Sequence, residues 1–418
     1  MKTVVLGFCL SLLVCSCAAP ERSRRYVGAR EAAPDIRVLL DEGRDHLRIS
    51  SRGGFSVMAS NGISVLESSG GNILKVSASP PNLNLRLEQG GGVATADGEV
   101  RVVPKSNAAL TVNRVSYAGE MRLLLKPNGK LMLLNVLPLE AYLEGVLPHE
   151  IGNLGPDGFD ALKSQAIAAR TYALGKIDTR SSEGFDVYSS VLDQVYKGLN
   201  GRNKSASAAV SDTRGLVLDR DGKWVKAYYC ACCGGHTSDI REVWPDREPA
   251  DYLHGIPDHD ARRRQAFCRE NKYFRWRYSF SGRQLGEILR STIPSELGIP
   301  QDEVGVLEDI SIGKRTRSGR VVSISIHTSK GDFTVTGDKI RWVLVTDLRK
   351  RRILPSVMFR LDKMMERDRI AFISIVGGGN GHGVGMCQNG AIAMSRKGYT
   401  YKMILEHYYP GCSVVRAY

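Results

Sequence analysis

The helical hydrophobic pattern is clearest in the middle of the chain, between Leu137 and Lys176. There the apolar residues recur at intervals of three and four, which is the spacing of one helix face. The first run follows Pro138, whose fixed φ suits a first helical turn, and we expect this helix to stop near Pro148. The second run follows the loop Gly152–Gly158 and has these apolar positions: Phe159, Leu162, Ala166, Ala169 and Ala173. The pattern predicts two closely packed helices.

The acid Glu150 lies in the predicted turn between these helices. An acid at such a position is usually a solvated loop residue or a helix cap. A rigid helix pair also holds a catalytic carboxyl in a fixed place, and the polar residues Gln165 and Arg170 lie off the apolar stripe of the second helix. The pattern by itself leaves both interpretations open.

Before the helix pair, from Ile36 to about Leu134, short apolar runs are broken by glycine, and several of them alternate apolar and polar residues. This pattern is typical of strands and predicts a β-rich N-terminal region over residues 35–111. Further strands are predicted at Val187–Val195, Gly215–Tyr229, Ile310–Ile312, Val321–His327 and Asp332–Thr336, and a helix at Phe280–Leu297. The predicted fold class is α+β, with a β-rich N-terminal part followed by a mixed α+β core.

The N-terminus carries an apolar run, Val4–Val14, that is too short to span a bilayer and fits the hydrophobic region of a signal peptide. The residues that end at Cys17 resemble a lipobox, which predicts a lipoprotein signal over residues 1–17, lipidation of Cys17 and a linker over residues 18–34. Plain cleavage after Ala18 or Ala19 is the alternative. The protein is therefore expected to be exported to the cell envelope and held at the membrane by a lipid anchor.

The net charge of +14, from 58 Lys+Arg against 44 Asp+Glu, favours an anionic partner such as nucleic acid, a membrane surface or an anionic polymer. We expect no nucleic-acid partner, because the chain has no zinc-finger spacing, no RNP-like run and no basic region followed by heptads. The run Arg262–Arg277 is basic and aromatic. Either it is a solvated surface, or Tyr273, Phe274 and Trp276 stack on sugar rings.

Of nine cysteines, Cys9, Cys15 and Cys17 lie in the predicted signal, so the folded body keeps six. In an exported protein these are expected to form disulfides, with Cys387 and Cys412 as one plausible pair. The alternative is a structural zinc site, since Zn²⁺ binds thiolate and imidazole at short spacings. Its predicted ligands are Cys230, Cys232 or Cys233, His236 and Cys268.

A glycine-rich segment, Gly377–Gly390, contains neither G-x-G-x-x-G nor the Lys-Ser/Thr of a P-loop. Its backbone can approach a ligand closely, and its notable hydrogen-bonding side chains are His382, Gln388 and Asn389. A histidine in such a loop more often stabilises a turn than binds a ligand.

Three ordered blocks resemble the stage II sporulation protein D (SpoIID/LytB-like) family. They are LPLEAYLEGVLPHEIGN with ALKSQAIAARTYAL, then YYCACCGGHTSDIREVWPDREPADYL, then GGGNGHGVGMCQNGAIAMSRKGYTYKMILEHYYPGC. The resemblance covers residues from about Val112 to the end and implies a SpoIID-like catalytic domain over residues 112–418.

The resemblance implies a lytic transglycosylase that cuts MurNAc–GlcNAc β-1,4 bonds of peptide-stripped peptidoglycan glycan strands, with Glu150 as the catalytic residue. We predict that the strand contacts Gln165, Arg170, His382 and Gln388. One carboxyl suffices when the muramyl C6 hydroxyl is the nucleophile, giving 1,6-anhydro-MurNAc ends. No cofactor is required for that reaction, although some family members carry zinc. A cooperating peptidoglycan amidase is a further implied partner.

Two alternatives belong to other classes. One is a non-catalytic module that binds glycan or enhances an amidase, as the LytB-like branch of the family implies. The other is a Cys/His enzyme that uses Cys387 and His382. Cys387 stands where family members often have serine.

Overall fold

The computed structural model describes residues 32–260 and 264–418. The predicted signal peptide, Cys17 and most of the predicted linker lie outside these residues. Within the described residues, no helix is both long enough and apolar enough to cross a membrane. The predicted α+β class, with a β-rich N-terminal part, is confirmed.

The N-terminal part is built from short strands. Their bounds are β1 Asp35–Arg44, β2 His46–Ser50, β3 Phe55–Ala59, β4 Ser64–Ser68, β5 Ile73–Ser79, β6 Asn82–Leu87, β7 Val93–Asp97, β8 Glu99–Pro104, β9 Leu110–Val112, β10 Val115–Tyr117, β11 Glu120–Leu125 and β12 Leu131–Pro138. A later strand, β13 Val187–Tyr188, pairs in parallel with β1.

These strands form two sheets, in the orders β13–β1–β12–β11–β8–β3–β4 and β10–β9–β2–β5–β6–β7. Alternate residues point inward, as in β6, where Leu83, Leu85 and Leu87 are buried and their neighbours are not. Side chains from both sheets share one core. The predicted boundary between residues 111 and 112 falls inside β9, and the sheets continue to the end of β12.

A helical core follows the sheets. Its elements are α1 Leu139–Glu150, α2 Phe159–Lys176, α3 Lys204–Asp212, β14 Leu216–Arg220, β15 Lys223–Trp224, β16 Tyr229–Cys230 and α4 Ile240–Val243. Helix α2 is its centre and packs against α1 and α3. Alanines such as Ala166 and Ala169 are fully buried on α2, because their small side chains let the neighbouring helices approach closely.

Three local predictions differ from the structure. The predicted strand Gly215–Tyr229 is divided into β14, β15 and the start of β16. Helix α1 does not stop near Pro148 but continues to Glu150, and the Ile151 N–H still donates to the Leu147 carbonyl at 3.0 Å. The missing proline N–H therefore does not break the last turn. The predicted strand Val187–Val195 is a strand only at Val187–Tyr188, and the rest of that segment is a loop beside the end of α1.

An insertion with its own hydrophobic core interrupts the helical core. Its elements are β17 His259–Asp260, β18 Gln265–Ala266, β19 Trp276–Ser281, α5 Gly282–Leu297, β20 Leu307–Ile312, β21 Ser323–Thr328, β22 Gly331–Thr336, α6 Lys339–Val343, β23 Phe359–Glu366 and β24 Arg369–Gly377. Trp276 is buried in this core and donates its indole N–H to the Gly379 carbonyl at 2.9 Å. It is therefore not free to stack on a sugar.

After the insertion the chain returns to the helical core through β25 Met386–Cys387, α7 Gln388–Arg396, α8 Tyr401–Tyr408 and β26 Ser413–Arg416. Strand β25 pairs with β16, β26 pairs with β14, and α7 and α8 pack against α2. One hydrophobic core thus contains residues from both sides of the insertion. This arrangement brings the start of α7 to the end of α1.

Candidate active site

Glu150 is the last residue of α1, and its position is fixed by the helix. Leu143, Val146 and Leu147 on the same helix are fully buried. They anchor α1 against α2, so the carboxyl group at the helix end has little freedom to move.

Two hydrogen bonds hold the Glu150 carboxylate. The backbone N–H of Val195 donates to Oε1 at 2.6 Å, and Nε2 of Gln388 donates to Oε2 at 3.4 Å. The first donor lies in the loop after β13 and the second is the first residue of α7. Three separate segments of the chain therefore meet at this carboxyl group.

Burial raises the pKa of Glu150, and the hydrogen bonds from Val195 and Gln388 only partly oppose that rise. Because the residue ends α1, the negative end of the helix dipole also disfavours its charged form. Within residues 32–260 and 264–418, no charged side chain contributes to the shift. Glu150 is thus a carboxyl group suited to carry a proton at higher pH than an ordinary glutamate.

Gln165, on α2, lies next to this carboxyl group. Its Oε1 accepts a hydrogen bond from Nε2 of Gln388 at 3.3 Å, and its own Nε2 is a buried donor that has no partner among the residues that the structure describes. Buried amide donors are rarely left unpaired, because the loss costs about 1–3 kcal/mol. Gln165 is fully buried, so this donor lies in the wall of the site beside Gln388 and not on an open surface.

A network of buried hydrogen bonds holds the loop that carries Val195. The Tyr142 hydroxyl donates to Gln194 Oε1 at 3.1 Å, and Gln194 Nε2 donates to the Tyr229 hydroxyl at 2.8 Å. Burial raises the pKa of both tyrosines, and the nearby Glu150 charge adds to the rise. Both phenols therefore stay neutral and fix Gln194, the residue that precedes Val195.

Asp193 is the acid closest along the chain to Val195, but its side chain is already occupied. It accepts hydrogen bonds from the Tyr172 hydroxyl at 2.7 Å, from Arg180 at 3.0 Å and from the Tyr188 N–H at 2.9 Å. These contacts assign Asp193 to holding the loop in place.

The predicted substrate contact Arg170 is not exposed to a ligand in the structure. Arg170 is fully buried and forms a two-point ion pair with Glu140, through Nε at 2.9 Å and Nη2 at 2.8 Å. Burial alone would raise the pKa of Glu140, but Arg170 outweighs it and the pKa is lowered. Arg170 therefore joins α2 to α1 and does not face a ligand.

His382 is partly buried and packs on Trp244, with ring centroids 4.9 Å apart. Its Nδ1 accepts a hydrogen bond from the Val384 N–H at 3.0 Å, and burial lowers its pKa to about 4. It is a neutral histidine that stabilises the glycine-rich segment, and no hydrogen bond joins it to Glu150 in the described part of the chain.

The structure groups the cysteines differently from the prediction. No disulfide is present among the described residues, and Cys387 and Cys412 are both free. Cys387 instead lies in a buried group with Cys233, Cys268 and Asp258. Of the predicted zinc ligands, Cys268 is in this group, as is Cys233, the alternative to Cys232.

The remaining predicted ligands lie around or outside the group. Cys232 is fully buried next to Cys233 but is not a member of the group. Cys230 is buried in β16, whereas His236 turns its Nδ1 toward the Thr237 carbonyl at 2.7 Å. The sequence pattern could not rank these cysteines, because two members of the group come from distant segments.

Comparison with known proteins identifies the family of the segment that contains the candidate active site. A family model described as Stage II sporulation protein matches residues 127–219, which include α1, α2 and the Val195 loop. The chain is 32% identical over 318 residues to an uncharacterized protein of Brachyspira hyodysenteriae, covering 75% of this chain and 76% of that protein. It is 25% identical over 302 residues to stage II sporulation protein D of Bacillus subtilis, covering 67% and 75%. The chain belongs to the stage II sporulation protein D family. Glu150, Gln165 and Val195 thus lie inside the family-matched segment.

Two further matches concern the rest of this SpoIID-family chain. It is 27% identical over 304 residues to the amidase enhancer of Bacillus subtilis, a match that covers 65% of this chain and 40% of that protein. A model described as a domain of unknown function (DUF8618) matches residues 258–385. That segment contains the insertion, which the sequence pattern did not separate from the catalytic domain.

Proposed function

We propose that this SpoIID-family protein is a lytic transglycosylase that cleaves MurNAc–GlcNAc β-1,4 bonds of peptidoglycan glycan strands. The observation that carries the proposal is the environment of Glu150. Its carboxyl group is fixed at a helix end and held by Val195 and Gln388. Its pKa is raised by burial, and no charged side chain among the described residues contributes to that shift. A general acid needs these properties at neutral pH.

In the proposed reaction, protonated Glu150 gives its proton to the glycosidic oxygen, which leaves as the 4-hydroxyl of GlcNAc. The C6 hydroxyl of the same MurNAc attacks C1, so the C1–O4 bond breaks and a C1–O6 bond forms. The Glu150 carboxylate takes the proton from the C6 hydroxyl. The hydrogen bonds from Val195 and Gln388 stabilise the carboxylate between these two proton transfers.

The surroundings of Glu150 support a scheme with one carboxyl group. A glycoside hydrolase needs a second carboxylate, about 5–9.5 Å from the first, as nucleophile or base. Asp193 accepts from Tyr172, Arg180 and the Tyr188 N–H, so it is committed elsewhere. An internal hydroxyl nucleophile removes the need for such a partner.

We also propose where the strand binds. The unpaired Nε2 of Gln165 is fully buried beside Gln388, so it can donate to a sugar hydroxyl or acetamide oxygen only where the bound strand reaches into the site at Glu150. Val191 and Leu192, in the loop that carries Val195, are 76% and 63% exposed and offer an apolar surface to a sugar ring. Arg170 is not part of this surface, because its charge is buried against Glu140.

The cellular setting completes the proposal. The predicted signal and lipidated Cys17 would place the protein in the cell envelope, on the membrane side of the glycan. Peptide-stripped strands are the proposed substrate, so a peptidoglycan amidase is the proposed partner that prepares them.

A second candidate function is a non-catalytic module that enhances an amidase. It is favoured by one observation, the similarity to the Bacillus subtilis amidase enhancer. The Cys/His enzyme has less support, because Cys387 is fully buried and no hydrogen bond links it to His382 within the described residues.

The test is release of soluble glycan from purified peptidoglycan, with and without amidase pretreatment, by wild type and Glu150→Gln. Glu406→Gln is the matched control, because Glu406 is exposed on α8. We expect release by wild type and Glu406→Gln only, with all three proteins bound to the glycan in a pelleting assay. Binding without release by any of the three would favour the non-catalytic module.

A further inference from the structure

The buried cysteines form one compact group that the proposed reaction does not use. Cys232 and Cys233 follow β16, Cys268 lies in the 3₁₀ turn Phe267–Glu270 at the start of the insertion, and Cys387 precedes α7. All four side chains are at most 1% exposed. Three segments of the chain therefore contribute thiols to one point between the helical core and the insertion.

The sulfur geometry fits a tetrahedral metal ion. The Cys233 and Cys268 sulfurs are 3.7 Å apart, and the sulfurs of Cys233, Cys268 and Cys387 lie within 4.8 Å of one another. Cys232 is the neighbour of Cys233 along the chain and is fully buried beside them. In a tetrahedral Zn²⁺ site with bonds of about 2.3 Å, neighbouring sulfurs are ~3.8 Å apart. A disulfide bond is about 2.05 Å long, so these two sulfurs are not bonded to each other, and their separation is compatible with two ligands of one ion.

Backbone donors surround these sulfurs. The Gly235 N–H donates to the Cys233 sulfur at 3.3 Å, and the Cys387 sulfur accepts from the N–H groups of Cys233 at 3.2 Å and Gly390 at 3.3 Å. Such hydrogen bonds favour thiolate over thiol. They are also typical of the second layer of contacts that orients metal ligands.

A buried arginine supplies an independent observation. Arg320 is 1% exposed and donates to the carbonyls of His236 at 3.0 Å and Cys233 at 2.8 Å. Its Nε has no partner, and no carboxylate forms an ion pair with it in the described part of the chain. An isolated buried cation is costly. Four thiolates around one divalent ion carry a net charge of −2, which would balance Arg320, whereas neutral disulfides would not.

We propose that Cys232, Cys233, Cys268 and Cys387 bind one Zn²⁺ ion, which fastens the start of the insertion and the start of α7 to the helical core. Asp258 lies beside this site, with Oδ2 3.0 Å from the Cys233 sulfur. Its Oδ1 accepts from the Tyr408 hydroxyl at 2.8 Å and lies 3.4 Å from His407 Nε2. Its carboxylate also lies within 4.8 Å of the Cys233, Cys268 and Cys387 sulfurs. We assign the fourth position to Cys232, because structural zinc sites are built mainly from thiolate and imidazole ligands, and the Asp258→Asn and Cys232→Ser variants test this choice.

This site would also act on the proposed active site. Cys387 is followed directly by Gln388, whose side chain reaches both Glu150 and Gln165. The metal would therefore fix the start of α7 in the position that presents Gln388. This consequence for activity rests on the proposed function, whereas the metal site itself does not.

The test is the metal content of the full-length protein, purified without added chelator, by mass spectrometry and by zinc release to a colorimetric chelator after thiol modification. We expect about one zinc per chain in wild type. Replacement by Co²⁺ should give the strong ultraviolet thiolate-to-metal band and the visible bands of tetrahedral sulfur ligands. Absence of metal, or four thiols recovered as disulfides, would overturn the proposal.

Single substitutions test which side chains bind the zinc ion. Cys268→Ser and Cys387→Ser should each lower zinc retention at least tenfold, whereas Cys412→Ser and Cys230→Ser should retain it. Asp258→Asn should retain zinc and an unchanged Co²⁺ spectrum. Loss of zinc in Asp258→Asn with retention in Cys232→Ser would contradict the four-cysteine assignment. If a variant fails to fold, the zinc content of the wild-type protein still tests whether the site binds a metal ion.

Discussion

The backbone N–H of Val195 donates a 2.6 Å hydrogen bond to Oε1 of Glu150. This contact joins the end of α1 to a loop that Gln194 holds against Tyr142 and Tyr229. It does not depend on the side chain of Val195, so it can be kept through many substitutions at that position. It gives Glu150 a fixed orientation while burial keeps its pKa high.

Because the pKa of Glu150 is raised, we expect that replacing Glu150 with glutamine increases the free energy of unfolding by an amount that depends on pH. The folded chain binds this proton more tightly than the unfolded chain. The resulting stabilisation is complete below the ordinary glutamate pKa and is lost as pH rises through the higher folded pKa. Glu150→Gln avoids this loss because the amide does not ionise.

Urea unfolding should therefore show that Glu150→Gln is more stable than wild type at about pH 8, with a smaller difference at about pH 4. Glu406→Gln, in an exposed position, should show no such trend. An equal difference at both pH values would mean that Glu150 has an ordinary pKa.

Gln388→Leu should change both the rate and the pH profile. The variant loses the donor to Glu150 Oε2, a long bond at 3.4 Å, so we expect kcat/KM to fall roughly tenfold, near the low end for a hydrogen bond to a charged group. Because the bond from Gln388 lowers the pKa of Glu150, its loss should move the alkaline limb of the profile to higher pH. A fall in rate with an unmoved limb would assign Gln388 to binding alone.

Arg170 should matter for folding and not for substrate binding. Arg170→Met leaves the Glu140 carboxylate buried without its partner, which typically costs about 3–5 kcal/mol of unfolding free energy. The double variant Arg170→Met/Glu140→Leu should recover most of that loss. Calorimetry of the single and double variants measures these changes. A raised KM in an Arg170→Met protein of wild-type stability would instead show that Arg170 contacts the substrate.

The exposed apolar residues Val191 and Leu192, in the loop that carries Val195, should contribute to glycan binding. Val191→Asp and Leu192→Asp are expected to raise KM several-fold, because a charge replaces an apolar surface, while kcat and melting temperature change little. Val93→Asp is the control, since Val93 is 69% exposed on the strand β7. Equal effects of all three substitutions would argue against a local binding surface.

Local patterns predicted two of the helices that form the candidate active site, but not the loop that carries Val195. The three- and four-residue spacing predicted α1 and α2, and alternation predicted the N-terminal strands, because both signals come from neighbouring residues. The end of α1 was predicted near Pro148, since the rule for proline considers one backbone bond and not the packing of Leu147 and the rest of the helix.

Long-range contacts could not be predicted in the same way. The hydrogen bond to Glu150 comes from a backbone N–H, which has no sequence signature. The group of Cys233, Cys268 and Cys387 depends on the chain leaving and rejoining the helical core. The strands of the insertion have the same alternation as any other strands, so their separate core became visible only in three dimensions.

The nature of the glycan ends tests the central claim most directly. Peptide-stripped glycan is incubated with wild type or Glu150→Gln, and the products are separated and weighed by mass spectrometry, with and without borohydride reduction. We predict 1,6-anhydro-MurNAc ends, which borohydride does not reduce, from the wild type alone. Reducible MurNAc ends from the wild type would contradict a single-carboxyl transglycosylase and require a second catalytic carboxylate.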